Sequence, residues 1–333
     1  MKSEGHIYSY TAQLMGSPIL LKTFVHDETR VKQIFLAIKQ LEDRLTVNRA
    51  QSEVMSINHA AGKMAVKVSP VVFSLIKQAK AASLLKNSCF NVAIGPLVKL
   101  WKIGFSGHAI PDADKIIQAL ALTDPLRIIL NEDDNSVFLE SAGMEIDLGA
   151  IAKGYIADLI RALLYQQGIY DALINLGGNV FAIGRSLTQG AWSVGLQKPF
   201  SARDDLLGVI SVVNKSVVTS GIYERFFTVN GQVYHHILNP ETGYPLDNDL
   251  YSVTVISDHS IDGDIYTTLL YGMGVDAGIA YLHTRPDLSA IFVTRDKKIV
   301  ISSPYHVEFK LLNEAYSLEY RINGDQTGGK VGK

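Results

Sequence analysis

Four clusters of small and polar residues contain the side chains that could do chemistry, and each lies at a loop that follows a predicted strand. In the first, residues 147–158, Gly149 and Ala150 separate an apolar run from a helical pattern, and Asp147 and Lys153 add opposite charges. N–H groups at the start of a helix favour an anion, and Lys153 strengthens that preference. The stretch therefore indicates a phosphate-binding corner. By itself, however, it is more typical of an ordinary strand–helix junction in which glycine allows close packing.

The second cluster is the pair Gly177 and Gly178, which follows a predicted strand at residues 172–176. Because glycine has no side chain, a ligand or another backbone segment can approach such a pair closely. Glycines alone are more typical of a tight turn.

The third cluster contains residues 219–223 and the run 235–245, in which His235 and His236 are adjacent. Neighbouring side chains of a strand point to opposite faces, so only one histidine can readily face a site. Near neutral pH that histidine could act as a general base. A hydrogen-bonded structural histidine is an equally good interpretation of the residues alone.

The fourth cluster, residues 262–268, places Asp264 and Thr268 four residues apart at a predicted helix start, so both face the same side. A carboxylate and a hydroxyl one turn apart offer the oxygen ligands that Mg²⁺ accepts. Alternatively, Asp262 or Asp264 is a plain N-cap, which is the commoner role of such an aspartate.

The bulk composition is that of a globular protein and does not suggest a nucleic-acid or membrane partner. The chain has 333 residues, 47% hydrophobic and 19% charged, with a formal net charge of -2. Cys89 is its single cysteine, which excludes an internal disulfide and a thiolate metal cluster. No apolar run approaches the roughly 20 residues of a membrane span, and residues 1–17 lack a signal-peptide core. We therefore expect a cytoplasmic protein.

The hydrophobic pattern predicts an α+β fold. Residues 8–25 are predicted to form two strands around a turn, and residues 28–45 an amphipathic helix. Ser69 and Pro70 predict a capped helix start. Further helices are predicted at residues 70–85, 112–122, 153–167, 261–273 and 276–283, and further strands at 126–130, 136–140, 144–148, 172–176, 180–184, 192–196, 207–213, 216–219, 226–229, 233–238, 251–257, 289–294 and 299–302.

We expect these elements to form one domain over residues 1–323, with helices packed on a mixed β-sheet. The sequence has no repeat, low-complexity tract or long linker that would divide it. The strand at 192–196 is expected to continue the sheet, and the strand at 299–302 to end the compact part. Residues 324–333 are expected to form a flexible C-terminal tail.

Several common catalytic motifs are missing from the sequence. It has no Gly-x-x-x-x-Gly-Lys-Ser/Thr, which excludes a P-loop, and the glycines after Leu176 lack the dinucleotide-binding spacing. It also has no His-Glu-x-x-His and no Gly-x-Ser-x-Gly.

Taken together, the clusters resemble the FAD:protein FMN transferase family of the ApbE type, which implies a T-fold-like α+β domain. Each motif is weak alone, but seven or more occur in order between residues 15 and 294, which makes the signal specific. The matching pieces are Met15-Gly16-Ser17, Ser52-Glu53-Val54 with Asn58, residues 90–98 with Trp101, residues 147–155, residues 175–178, residues 219–221, residues 236–243, and Asp264 with Thr268.

The resemblance implies a Mg²⁺-dependent enzyme that uses FAD as its substrate. Members of the family cleave the FAD diphosphate and attach FMN to a Ser or Thr hydroxyl of a partner flavoprotein, with release of AMP. In such a phosphoryl-type transfer, positioning and charge neutralisation dominate catalysis. The resemblance implies that Mg²⁺ is held by Asp264, Thr268 and the backbone carbonyl of Ala150, with Thr267 where some relatives offer a further oxygen.

The resemblance also implies which residues contact FAD. Asp147 and Lys153 would contact it directly, and His236, rather than His235, would accept the proton of the acceptor hydroxyl. The full set expected to bind FAD or shape its pocket is Met15, Asp147, Lys153, Thr219, Ser220, Gly221 and His236.

This sequence departs from the family pattern at a few positions. Asn91 and Asn239 stand where many relatives have Asp; both changes keep the shape and remove a charge, so we expect activity to persist. Asn48 falls near a position where some relatives place a Tyr against the flavin, which leaves the stacking residue unassigned. Many relatives are exported lipoproteins, whereas this sequence shows no export signal, so its acceptor is expected in the cytoplasm, for example a soluble reductase with covalent FMN.

Two other functions fit the same residues. With water in place of the acceptor hydroxyl, the metal site would make the protein an FAD diphosphate hydrolase. A non-catalytic FAD-binding protein is the third hypothesis, and the retention of Asp264, Thr268 and His236 argues against it.

Overall fold

The computed structural model describes residues 5–322, so the predicted tail at residues 324–333 lies outside the described residues. The chain divides into two compact units, each assembled from separated segments. Unit 1 comprises the described residues of Met1–Val31, Ala157–Gly221 and Asn248–Lys333, and unit 2 comprises Lys32–Ile156 and Ile222–Asp247. The expectation of a single domain over residues 1–323 stays a prediction.

The fold is α+β, as the sequence predicts. In chain order, the elements among residues 5–322 are β1 (Tyr8–Leu14), β2 (Ser17–Thr23), α1 (Glu28–Leu45), α2 (Glu53–His59), β3 (Val66–Lys67), α3 (Pro70–Ser83), α4 (Gly95–Trp101), α5 (Ala113–Leu120), a 3₁₀ turn (Pro125–Arg127), β4 (Ile128–Asn131), β5 (Ser136–Leu139), α6 (Ala152–Gln166), β6 (Ala172–Leu176), β7 (Asn179–Ile183), β8 (Trp192–Gln197), β9 (Leu206–Val212), β10 (Lys215–Gly221), β11 (Phe226–Val229), β12 (Gln232–His235), β13 (Leu250–Ser257), α7 (Ser260–Leu282), β14 (Ser289–Thr294), β15 (Lys298–Ser303), β16 (Glu308–Leu311) and β17 (Ser317–Ile322).

The main sheet of unit 1 has the strand order β1-β2-β6-β7-β10-β13-β14-β15-β17 within the described residues. Its neighbouring strands are antiparallel except for β15 and β17, which are parallel, so the sheet is mixed as predicted. The predicted strand at 192–196 does not continue this sheet. It forms β8, which pairs with β9 in a separate three-stranded sheet of order β16-β9-β8.

The two faces of the main sheet of unit 1 pack against different partners, because side chains alternate along each strand. On one face, side chains such as Val217 and Ile256 join Trp192 and Ile210 of the three-stranded sheet in a buried apolar cluster. On the other face, Val218 of β10 and Phe292 of β14 contact α7 at its glycines.

The compact part of unit 1 extends beyond the strand at 299–302, contrary to the sequence-based expectation. β16 pairs with β9 at the edge of the three-stranded sheet, and β17 runs parallel to β15 at the edge of the main sheet. The predicted helices at 261–273 and 276–283 are the two helical segments of α7, which are separated by a kink at Gly274 with φ 76° and ψ -176°. Glycine tolerates this conformation because it has no Cβ.

Unit 2 contains the predicted amphipathic helix α1 from Lys32 onward, four shorter helices, the sheet β3-β5-β4 and the hairpin β11-β12 among its described residues. Trp101 belongs to one of its apolar clusters, where its ring stacks on that of Tyr234 and lies tilted against that of Phe227 in the hairpin. Its indole N–H donates to the carbonyl of Gly243 at 2.8 Å, which holds the loop after residue 238 onto α4.

The predicted strand at residues 144–148 is wrong. Met144, Ile146 and Leu148 are buried in alternation, which is the pattern of a strand, but the segment joins no sheet. The side-chain amide of Asn58 takes the place of a partner strand: its Oδ1 accepts from the N–H of Ile146 at 2.8 Å and its Nδ2 donates to the Ile146 carbonyl at 3.0 Å. One buried asparagine therefore satisfies both backbone groups of Ile146, which a partner strand would otherwise satisfy.

Ser69 precedes α3 as predicted, but its side chain does not cap that helix. The N–H and the hydroxyl of Ser69 instead donate to the carboxylate of Glu53, at 2.6 and 3.0 Å. The side-chain cap in this region belongs to Ser52, which accepts from the N–H of Met55 at the start of α2.

Candidate active site

Asp264 lies in the first turns of α7 and is buried. The preceding Gly263 lets the helix approach β10 closely, because a Cβ at that position would lie 2.4 Å from Cγ2 of Val218. Asn179, the first residue of β7, donates its side-chain amide to Oδ1 of Asp264 at 2.9 Å. A buried carboxylate is stable only with such partners.

Thr267 and Thr268 lie one turn after Asp264, and both hydroxyls contact its backbone carbonyl, at 3.1 and 3.5 Å. Thr267 is fully buried, and its hydroxyl also accepts from Ser220 at 2.9 Å. Thr268 is half-buried and its contact with the carbonyl is long. Of the two threonines, Thr268 therefore has the hydroxyl that a ligand can engage at lower cost.

The three pocket residues predicted at the end of β10 have different surroundings. Ser220 faces α7 through its bond to Thr267, whereas Thr219 points to the other face of the sheet. The hydroxyl of Thr219 lies 2.8 Å from that of Thr254 on the neighbouring strand. Gly221 pairs with Ser252 in the β10–β13 ladder. The structure thus brings Ser220, but not Thr219, to the polar cluster around Asp264.

Two predicted features of unit 1 are hairpin turns. Met15, with φ 55°, and Gly16, with φ 65°, form the two-residue loop between β1 and β2, as in a type I′ turn. Gly177 and Gly178 form the corresponding loop between β6 and β7, also with positive φ, and the N–H of Gly178 donates to Asn175. The tight-turn interpretation of the glycine pair is therefore confirmed. The role of Met15 in FAD binding stays a prediction.

The N-terminus of α7 is capped by a residue from another helix. Asp158 of α6 accepts from the N–H groups of Ser260 and Ile261, at 2.9 and 3.0 Å, while His259 at the N-cap position makes no side-chain capping bond. Arg161, one turn further along α6, donates to the carbonyl of Asp258 at 2.9 Å. These bonds fix the start of the helix that carries Asp264.

In unit 2, Asp147 closes the turn that precedes α6. Its Oδ1 accepts from the N–H of Gly149 at 2.7 Å, and its own N–H donates to the carbonyl of Val92. Burial raises the pKa of Asp147, while the Gly149 bond and the charge of Arg225 oppose that shift.

Ala150 is exposed in the same turn, and Lys153 lies in the first turn of α6, which contains no acidic residue. A lysine at a helix N-terminus favours an anionic ligand there.

The two adjacent histidines of unit 2 have different surroundings. His235 is buried; its Nε2 donates to the carbonyl of Leu246 at 2.7 Å and its Nδ1 accepts from the N–H of Ile237, which fixes it as a structural histidine. His236 is half-buried, and its Nδ1 lies 3.2 Å from the carbonyl of Arg225. A carbonyl can only accept, so Nδ1 carries the proton and Nε2 is left as an acceptor.

Arg225 acts on both candidate residues of unit 2 through its charge. Burial first, and then the charge of Arg225, lower the pKa of His236 to about 4, with smaller contributions from His235 and Lys153. The guanidinium of Arg225 also lies over the ring of Phe105, at 5.6 Å. His236 is therefore neutral near pH 7 and able to accept a proton.

Sequence reasoning missed three residues that organise these surroundings: Asn179, Asp158 and Arg225. Asn179 follows the Gly177–Gly178 turn directly, and Asp158 ends the first cluster, so both stood beside motifs without an assigned role. Arg225 follows the third cluster by two residues. No local pattern distinguishes them: the partners of Asn179 and Asp158 lie 85 and 102 residues away, and Arg225 meets His236 only because the two flank the β11–β12 hairpin.

Other features bear on the class of site and of protein. Within residues 5–322, no three His, Cys, Asp or Glu side chains come together as a metal-binding group. A magnesium site built from one carboxylate, hydroxyls and a carbonyl would not form such a group. None of the described helices has the length and apolarity needed to cross a bilayer.

The family model of the ApbE family matches residues 15–292. The chain belongs to the ApbE family. It is 56% identical over 316 residues, 95% of this chain and 98% of the relative, to an FAD:protein FMN transferase of Klebsiella pneumoniae strain 342. An FAD:protein FMN transferase of Treponema pallidum strain Nichols is 35% identical over 302 residues, 87% of this chain and 83% of the relative.

Solved structures of ApbE proteins have the same fold. The crystal structure of the ApbE protein from Thermotoga maritima matches with a TM-score of 0.78 and 29% identity, over 87% of this chain and 94% of the other. The apo form of the flavinyl transferase ApbE from Pseudomonas stutzeri matches with a TM-score of 0.75 and 26% identity, over 87% and 92%. The ApbE-type fold expected from the sequence motifs is confirmed.

Proposed function

We propose that this ApbE family member transfers FMN from FAD to a Ser or Thr hydroxyl of an acceptor flavoprotein and releases AMP. The observation that carries the proposal is the 56% identity, across nearly the full length of both chains, to a protein named FAD:protein FMN transferase. The retained Asp264, Thr268 and His236 support the same conclusion. In this reaction the acceptor oxygen forms a bond to the FMN phosphorus, the diphosphate P–O bond to AMP breaks, and the hydroxyl proton leaves.

His236 is proposed to accept that proton at Nε2. Its Nδ1–H bond to Arg225 holds the ring so that Nε2 keeps its lone pair. Burial and nearby positive charge keep the ring neutral in the ligand-free protein. A bound diphosphate would oppose the charges of Arg225 and Lys153, and would therefore raise the pKa of His236 as the substrate enters. This makes His236 a stronger base in the complex than alone.

The proposed metal is Mg²⁺, and the residues of α7 fit it. Mg²⁺ prefers oxygen ligands, and the carboxylate of Asp264 with the hydroxyl of Thr268 one turn later supplies them, with Thr267 as a further candidate. When bound, Mg²⁺ would neutralise charge that develops on the diphosphate oxygens. The contribution of the Ala150 carbonyl stays a prediction, and its residue belongs to unit 2.

Asp147 and Lys153 are proposed to contact FAD, and Met15 with residues 219–221 to shape its pocket. Lys153 and the start of α6 would receive the negative diphosphate, as the sequence pattern indicates. The side chain of Asp147 accepts from the N–H of Gly149 and thereby shapes the turn that precedes α6. We also propose that the protein and its acceptor are cytoplasmic.

The experiment that tests the function separates transfer from hydrolysis. Purified protein is incubated with FAD and Mg²⁺, with and without a candidate acceptor flavoprotein, and AMP, FMN and covalent flavin are measured. Covalent flavin on the acceptor with matching AMP supports the proposal. FMN and AMP formed at full rate without acceptor would identify a hydrolase instead. Tight FAD binding without turnover in the presence of any divalent metal ion would identify a binding protein.

A further inference from the structure

A chain of buried hydrogen bonds leads from the main sheet of unit 1 to the carboxylate of Asp264. The hydroxyl of Ser216 on β10 donates to that of Ser260 at 2.9 Å, and Ser260 donates to Oδ1 of Asn179 at 2.7 Å. The Nδ2 of Asn179 then donates to Asp264 at 2.9 Å. All four residues are buried. This chain is a feature of the fold that the sequence motifs do not indicate.

The hydrogen bonds from Ser260 to Asp264 all run in one direction, from donor to acceptor. The carboxylate of Asp264 can only accept, so the oxygen end of the Asn179 amide faces Ser260 and accepts the Ser260 hydroxyl proton. The NH₂ end must then face Asp264. Such chains polarise one another and favour one arrangement of all their members.

The carboxylate of Asp264 needs an external partner to fix its plane. Rotation about the last side-chain bond of aspartate is broad, so the backbone and the rotamer of α7 do not define it. The neighbouring hydroxyls of Thr267 and Thr268 contact the backbone carbonyl of Asp264. The bond from Asn179 acts on the carboxylate itself and comes from β7, which is held in register with β10 by the Asn179–Val218 pair.

We propose that Asn179 is a positioning residue, which holds the Asp264 carboxylate in the orientation in which it binds Mg²⁺. The proposal rests on the proposed function, because it takes Asp264 as a ligand of the metal. Residues that hydrogen-bond a metal ligand orient it, and their loss lowers metal affinity or activity about 10- to 100-fold. Asn179 therefore contributes to the metal site without touching the metal.

The test compares Asn179→Ala with the matched control Asn248→Ala. Asn248 also holds α7 by its side-chain amide, but that amide donates to the carbonyl of Tyr271 at 2.6 Å and not to Asp264. Binding of Mn²⁺ to the protein with FAD is followed by the electron paramagnetic resonance signal of the free ion, with FAD alone as a blank. Thermal unfolding of each variant is measured in parallel.

We expect both variants to lower the unfolding temperature and only Asn179→Ala to weaken Mn²⁺ binding, about 10- to 100-fold. Ser260→Ala, which removes the hydroxyl that orients the Asn179 amide, should weaken Mn²⁺ binding to a smaller extent. If Asn179→Ala does not fold, Ser260→Ala tests the proposal in its place. Wild-type affinity for Mn²⁺ in Asn179→Ala, or in Ser260→Ala, would overturn the proposal while flavin transfer by the wild type stands. A wild type that neither binds Mn²⁺ nor transfers FMN would overturn the proposed function and the positioning role together.

Discussion

The ring Nδ1 and the main-chain N–H of His236 both contact the carbonyl oxygen of Arg225, at 3.2 and 3.1 Å. The side chain and the backbone of His236 are thereby held by one acceptor, and Nε2 is the ring nitrogen left to accept a proton. The neighbouring His235 is fixed by Leu246 and Ile237 instead. This difference separates a candidate base from a structural histidine, which the residue types do not do without the family resemblance.

Replacement of His236 is expected to slow the transfer of FMN. If His236 accepts the hydroxyl proton, His236→Ala should reduce the single-turnover rate about 100- to 10,000-fold, because general base catalysis contributes this much. FAD binding should change far less. His108→Ala, at an exposed position in the same unit, is the control. Transfer by His236→Ala at the wild-type rate would exclude the assignment.

The lowered pKa of His236 predicts a pH-dependent contribution to stability. The folded protein disfavours the protonated ring, with a pKa of about 4, whereas the unfolded chain protonates it near its ordinary value of about 6.5. Protons therefore stabilise the unfolded state as the pH falls between these two values. In urea unfolding, the unfolding free energy of the wild type relative to that of His236→Gln should decrease as the pH falls through this range. Above the range the difference should stay constant. A difference that does not change with pH would contradict the pKa shift.

Asp158 is expected to stabilise the start of α7. Asp158→Ala leaves the buried N–H groups of Ser260 and Ile261 without their acceptor, and loss of such a cap costs about 0.5–2 kcal/mol of unfolding free energy. The exposed Asp258, which pairs with Lys215, provides the control variant Asp258→Ala. Equal chemical-denaturation midpoints for the two variants would show that the cap does not hold the helix.

Gly263 is expected to be required for the close contact between α7 and β10. In Gly263→Ala the new Cβ would lie 2.4 Å from Cγ2 of Val218, so the helix or the Val218 side chain must shift, and overpacking of this kind costs about 1–3 kcal/mol. Because Asp264 is the next residue, transfer activity should fall as well. Adding Val218→Ala should recover part of both losses. A Gly263→Ala variant as stable and active as the wild type would refute the packing argument.

Much of this fold is predictable because its strongest signals are local. α1 follows from the spacing of Val31, Ile34 and Ile38, and the β1–β2 hairpin follows from the Met15–Gly16 turn. The segment at 144–148 has the local signal of a strand and is not one, because its partner is the side chain of Asn58, distant in the sequence. The edge strands β16 and β17 were missed because only their neighbours in the sheets define them.

The site shows the same division between local and distant information. Asp264, Thr267 and Thr268 share one helical turn, so their spacing is visible in the sequence. The bonds that orient them come from Asn179 and Ser220, which lie 85 and 47 residues away along the chain. Topology brings these residues together, and a single sequence contains no signal for it.

The central claim is that Asp264 is required for covalent transfer of FMN to an acceptor. The most direct measurement is mass spectrometry of an acceptor flavoprotein co-expressed with wild type, Asp264→Ala or Asp262→Ala; Asp262 lies in the same helical turn and has no assigned role. We predict the added mass of FMN with wild type and Asp262→Ala, and none with Asp264→Ala. Equal flavinylation by Asp264→Ala and wild type would contradict the metal assignment, and no flavinylation by the wild type with any candidate acceptor would contradict the proposed function.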